Sequence, residues 1–346
     1  QVEEYKRPKF EVTFNPVQGA YKLGETIEVK GKAMAYAGNA LTDAGVSFRV
    51  VRTARYPYMW WGWRDWMPES PGMEILNGIT TTGPSGDFTI RFTAIPDPTV
   101  GQKFQPVFNY EVYATVTDQN GETHDGETSV SVGYNALLVN LDIPGSVNLD
   151  NPLQFSLSTT NLNGQKESAK GTIAIWKLRE PDRLLRNRNW SRPDKFILSR
   201  QDFEKEFPND IYDNEGEISS WEKDKQVWSS EFDSQADSIF RVAASAWKPG
   251  QYMYQITTTD AFGEKVETSG SFLGFSPSGK LTPGNMAQWL TVLKDNLEPG
   301  DVADIVLGTA AKNVTAIFEV QQNDKILSRK VLDLSQEQCR QSIPVI

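Results

Sequence analysis

The chain has 346 residues, 38% hydrophobic and 11% aromatic, with a formal net charge of -10. That length and composition predict two to three domains with real cores, and the acidic balance argues against nucleic acid, whose phosphates need clustered Lys and Arg. The longest apolar runs, such as "ALLVNL", fall far short of the roughly 20 residues that cross a bilayer, so no membrane span is expected in this segment. No signal peptide is present and the first residue is Gln1, so the sequence reads as a piece of a longer protein. Cys339, the single cysteine, has no internal disulfide partner and leaves the compartment open.

The first unit opens with "EYKRPKFEVTF", where Phe10, Val12 and Phe14 alternate with polar residues. It continues through "LGETIEVKGKAMAY", "AGVSFRVVRTARY" and "GDFTIRFTAIP". These are short strands at the spacing of a β-sandwich. It closes with "YATVTDQNGETHDGETSVSV", a strand, turn and strand in which Asp118 and Gly121 stand at the first and fourth positions of a type I turn.

Much of that hairpin returns as "YQITTTDAFGEKVETSGSF". At an offset of 142 residues Tyr110 falls on Tyr252, Thr117-Asp118 on Thr259-Asp260 and Gly121-Glu122 on Gly263-Glu264. That period is a domain, not a solenoid repeat. The second unit begins at "LLVNLDIPGSVNLDNPLQFSLSTT", with Leu149 matching Leu23, and a third start appears at "AQWLTVLKDNLEPGDVADIVLGT", where Gly300-Asp301 takes the place of Gly24-Glu25. The predicted boundaries are 1–135, 136–275 and a shortened copy at 276–346.

About 60 residues of other character, 180–240, interrupt the second unit. A loop this long is usually functional or a decorated insertion. Ser199 followed by Asp202 has the form of a capping box, predicting a short helix over 202–207 that Pro208 stops. Its aromatic residues, Trp190, Phe196, Phe203, Phe207, Trp221 and Trp228, predict local order. "DIYDNEGEISSWE" places Asp213, Glu215, Gly216 and Glu222 at calcium-loop spacing, but Ile211 takes the leading position that needs an acid, so a solvated acidic loop is expected and no metal.

The stretch "YPYMWWGWRDWMP" holds Trp60, Trp61, Trp63 and Trp66. Large rigid aromatic faces bury much area at little entropic cost, which makes these four the partner-contact candidates. Packing against a neighbouring module or against their own sheet is the alternative. His124 has no nucleophile matched to it by motif and reads as a lone surface histidine. No catalytic residue and no cofactor site is assigned, and the chain is not expected to be an enzyme.

At "EYKRPKFEV", "GKAMAYAGNALTDAGVSFRVVR", "GDFTIRF" and "YEVYATVTDQNGET", and again at "WKPGQYMYQITTTDAFGEKV", the sequence resembles the macroglobulin-like domains of the alpha-2-macroglobulin family, its bacterial branch above all. The resemblance implies an all-β fold of tandem fibronectin- or immunoglobulin-like antiparallel β-sandwiches, with a mixed, partly helical insertion in the second. It implies a scaffold and interaction segment of a broad-spectrum endopeptidase inhibitor in the bacterial cell envelope, periplasmic or surface-exposed. Proteases would be the partners of the full-length protein, and neighbouring domains of the same chain the partners of this segment. The family's thioester needs Cys and Gln in a Cys-Gly-Glu-Gln run. In "EQCRQSI" that pattern fails, so Cys339 receives no role. The competing reading is a carbohydrate- or surface-ligand-binding module that uses the Trp60 to Trp66 cluster.

Overall fold

The computed structural model describes residues 9–56, 70–294 and 296–345. Trp60, Trp61, Trp63 and Trp66 therefore lie outside the described residues. The architecture is all-β, in successive antiparallel sandwiches, as the sequence predicts. The described residues fall into two compact units, one within 1–140, 158–170 and 258–266, the other within 141–157, 171–257 and 267–346.

The first seven strands are β1 (Phe10–Phe14), β2 (Thr26–Ala35), β3 (Gly45–Arg55), β4 (Met73–Thr81), β5 (Asp87–Thr93), β6 (Val107–Thr117) and β7 (Thr123–Gly133). They make a three-stranded sheet of order β1-β2-β5 and a four-stranded sheet of order β4-β3-β6-β7. Period-two alternation aims one row of each strand inward. From β6 that row is Phe108, Tyr110, Val112, Ala114 and Val116, all buried, and it meets Ile27, Val29, Phe88, Ile90 and Phe92 of the facing sheet in one core. Each fully buried Ile or Phe contributes roughly 1.5–3 kcal/mol.

The plan repeats in β8 (Leu137–Asp142), β9 (Ser146–Asn148), β10 (Leu153–Asn161), β11 (Lys170–Leu178), β12 (Lys223–Asp233), β13 (Ile239–Val242), β14 (Gly250–Thr259) and β15 (Lys265–Phe275). The sheets are β13-β10-β8 and β12-β11-β14-β15-β9. Five more strands follow: β16 (Trp289–Val292), β17 (Val302–Thr309), β18 (Val314–Gln322), β19 (Lys325–Leu334) and β20 (Glu337–Pro344), in sheets β16-β17-β20 and β18-β19.

The sequence register of the copies reappears bond by bond. Asp118 and Asp260 each accept two backbone N–H groups through Oδ1, from Asn120 and Glu122 (both 2.8 Å) and from Phe262 and Glu264 (both 2.9 Å). Gly121 and Gly263 follow at φ +80° and +84°, the left-handed residue that closes a type I turn with a bulge. The parallel bridge Lys22↔Gly133 returns as Asn148↔Phe275. In the third copy Gly300 N–H donates to Val345 O and Val345 N–H to Asp301 O, both 2.8 Å. That repeats Gly24 N–H to Ala94 O (3.0 Å) and Ala94 N–H to Glu25 O (2.9 Å).

Two sequence expectations need correction. The insertion is shorter than 180–240, because Lys223–Asp233 is β12, an edge strand of the second sandwich. Its opening "KDKQ" hides a strand signal, although lysine-bearing edges are how sheets resist stray pairing. His124 is half-buried rather than a free surface residue, its ring edge-on to Phe10 at 4.4 Å and its Nε2 3.0 Å from Glu122.

Candidate interaction site in the insertion

Arg179, just past β11, donates its N–H to Glu222 O (2.8 Å) and pairs its guanidinium with the Glu222 carboxylate (2.9 Å). The chain thus leaves and re-enters the sheet at one point. Between these ends the backbone is organised locally by α1 (Arg200–Glu206). Ser199 caps it in the predicted manner, accepting from Asp202 N–H (3.2 Å) and donating its hydroxyl to the Asp202 carboxylate (2.6 Å). The helix starts at Arg200, two residues earlier than the sequence reading, because the cap is Ser199 itself.

Too small for a conventional core, the insertion packs around Tyr212. Phe196 stacks on that ring at 4.5 Å and Phe203 leans on it at 5.3 Å, while Arg200 lies over it at 4.9 Å. The Tyr212 hydroxyl donates to Leu198 O (2.9 Å). Ion pairs close the rim: Arg183 with Glu204 (3.1 Å), Arg200 with Glu215 (2.6 Å), Arg192 with Asp213 (2.7 Å) and Arg186 with Asp210. Arg188 donates through Nη2 to the carbonyls of Ile211 (2.8 Å) and Tyr212 (3.0 Å).

The calcium-like spacing is used differently. Glu215 is held by Arg200 and Arg183, Asp213 by Arg192, and Glu222 by Arg179. Burial pushes the Glu215 carboxyl up, but backbone N–H donation from Asp213 and the two guanidinium groups outweigh it and leave it below its ordinary value. Among the described residues no three His, Cys, Asp or Glu side chains gather as a metal set.

Against this frame opens an apolar depression of about 210 Å³, lined chiefly by Trp190, Phe196, Ile197, Leu198, Phe203 and Tyr212. Arg188 and Lys195 also border it. Drug-sized ligands and cofactors occupy roughly 300–1,000 Å³, so the depression suits one or two protein side chains instead. Ile197 is 94% exposed and Trp190 64%. An exposed aromatic and an aliphatic beside a pocket are the ingredients of a protein-contact hot spot. In the sequence these aromatics signal only local order, because nothing local places Ile197 and Trp190 together.

Cys339 stands in β20 with Gln341 Nε2 3.8 Å from its Sγ, and that amide's oxygen accepts from Lys330 (3.1 Å). His124 lies in β7 against Glu122 and Phe10.

No protein-family model matches this sequence, and no curated protein matches it. Among solved structures it is similar to the native conformation of Escherichia coli alpha-2-macroglobulin, at 10% identity and a TM-score of 0.36 over 99% of this chain. A Salmonella alpha-2-macroglobulin mutant gives 12% identity and the same TM-score and coverage. A tetra-tandem repeat from the extending region of a large adhesion protein gives 13% and 0.24, over 97% of this chain and 66% of that one. The chain spans about a fifth of the length of either macroglobulin, 21% in each case.

The insertion makes a direct prediction. Removing 183–219 and bridging the gap with a short Gly-Asn-Gly turn leaves β11 and β12 paired, so thermal unfolding by circular dichroism stays cooperative, with a loss of roughly 1 kcal/mol or less. Removing 182–236 takes β12 away and abolishes the second sandwich's transition. Equal behaviour of the two deletions would contradict this boundary.

Proposed function

We propose that this chain is a mechanical scaffold and interaction segment of a bacterial alpha-2-macroglobulin-like protease trap, working outside the cytoplasm. The resemblance of its strand and hairpin sequences to macroglobulin-like domains supports the family. The observation that carries the scaffold reading is the recurrence of one hairpin with the same hydrogen bonds at Asp118 and Asp260, in a chain that repeats one sandwich plan. Copying a module with its turn chemistry intact preserves a shape, whereas catalysis needs a singular constellation.

In this reading the modules form part of a shell, and the depression around Ile197 and Trp190 is where the segment grips a neighbouring module of the complete protein. A shell segment alone encloses nothing. Incubated in molar excess with proteases of several classes, the purified chain leaves hydrolysis of both small and protein substrates unchanged. Protection of the protein substrate alone would mean that the segment traps by itself. Inhibition of both would make it an active-site binder. Either result would overturn the scaffold assignment.

A further inference from the structure

The arginines of the insertion divide by partner. Arg183, Arg186, Arg192 and Arg200 each hold a carboxylate, from Glu204, Asp210, Asp213 and Glu215 in turn. Arg188 holds none among the described residues: its Nη2 donates to the carbonyls of Ile211, Tyr212 and Asp213, at 2.8, 3.0 and 3.2 Å, and its Nη1 is buried with no hydrogen-bond partner. A guanidinium bonded only to carbonyl oxygens keeps its whole charge uncompensated. Lys195, which is exposed, meets no carboxylate among the described residues either.

Both cations border the apolar depression beside Trp190 and Ile197, and among the described residues none that lines it is acidic. Asp194, next to Lys195 in sequence, is not part of the lining. With 45 acidic side chains against 35 basic ones in the chain, that border reverses the sign of the molecule as a whole. Shape and charge together select the occupant. Apolar walls reward a large side chain, and two cations at the rim reward a carboxylate held beside it. A second copy offering the same face is disfavoured, since a two-fold contact would bring Arg188 and Lys195 against their own counterparts.

We propose that the depression is a docking site for an acidic segment of protein, which seats a large apolar side chain beside Trp190 and Ile197 and sets an adjacent carboxylate against Lys195, within the field of Arg188. The proposal rests on the scaffold reading above, in which a neighbouring module of the complete protein supplies the segment. Exposed ion pairs add little affinity in water, so the apolar contact holds the partner and the charges choose it. A module tethered in the same chain needs no tight site, because its effective concentration is high.

In the full chain, the Ile197 methyl and Trp190 indole resonances are followed during titration with acetyl-Glu-Phe-Asp-amide and with acetyl-Lys-Phe-Lys-amide. The acidic peptide binds with a Kd on the order of 1 mM, about fivefold more tightly than the basic one. Lys195→Glu removes the preference, and Ile197→Ser weakens both peptides by about threefold or more. Neither substitution changes thermal melting, since both side chains are exposed. Equal binding of the two peptides, no shift with either, or tighter binding of octanoate at the same resonances would overturn the proposal, the last by giving the site to a small amphiphile. In the complete protein, a photoreactive benzoylphenylalanine in place of Ile197 crosslinks within its own chain, to an apolar residue with an adjacent Asp or Glu. A crosslink to a second copy or to a different protein would overturn it as well. The protease assay judges the scaffold reading separately: unchanged hydrolysis together with failed docking removes this site and leaves that reading intact.

Discussion

Replacing Asp97 with alanine lowers the stability of the first unit by about 3–5 kcal/mol, the usual cost of removing one partner from a buried ion pair. Asp97 is 6% exposed and Arg52, which reaches it at 3.1 Å, is 3% exposed. Arg52 also donates to Pro96 O (2.8 Å), and Asp97 accepts from the Thr99 hydroxyl (2.6 Å), the Thr99 N–H (2.9 Å) and the Ser70 hydroxyl (2.8 Å). Without the carboxylate the guanidinium stays buried with no counter-charge.

The Thr99 hydroxyl above all, against the opposing effect of burial, and then the Thr99 N–H, Ser70 and Arg52, hold the Asp97 carboxyl at about 2. A carboxyl depressed in the folded state contributes stability that is complete above its ordinary value of 3.8 and is lost as the pH falls toward 2. The difference in urea stability between the parent chain and Asp97→Asn is therefore large at pH 5 and narrows between about pH 4 and pH 2. A loss of less than about 1 kcal/mol in Asp97→Ala, or a gap that does not close with acid, would contradict this account.

Tyr252→Ala costs the second unit about 3–5 kcal/mol, whereas Tyr252→Phe costs about 1–2 kcal/mol. The ring is fully buried, stacked on Phe272 at 5.3 Å and on Trp247 at 5.2 Å, and Lys177 stands 5.4 Å from its centre. Its hydroxyl donates to Lys248 O (2.5 Å), as the hydroxyl of Tyr110 donates to Ile95 O (2.9 Å) in the first sandwich. Burial pushes both phenols above their ordinary range. Alanine leaves a ring-sized void, while phenylalanine keeps the packing and strands only one carbonyl. The tyrosine acts as a corner tying a strand to the segment before it. Denaturant unfolding of both variants at both positions checks the pattern, and equal losses from Phe and Ala would show that the hydroxyl, not the ring, carries it.

What the sequence determined by itself was whatever a few neighbouring residues decide. An Asp at the head of a turn bonds to N–H groups two and four residues away, so Asp118 and Asp260 declared their hairpins. Ser199 and Asp202 declared a helix start, and alternation in β1 and β6 declared sandwich strands. The 142-residue repeat made the tandem plan legible without any long-range contact. Tertiary structure decided what depends on partners far along the chain. The pairing of Arg52 with Asp97 spans 45 positions, and nothing local distinguishes those two charges from solvated ones. β12 was hidden because its charged residues suit an edge, and an edge is a property of the sheet. The depression at Trp190 and Ile197 exists only once Phe196, Phe203 and Tyr212 have stacked. The carboxylates at calcium-like spacing turned to arginines because Arg183 and Arg200 approach Glu215 from 32 and 15 residues away, where closure of the loop, not spacing, sets the geometry.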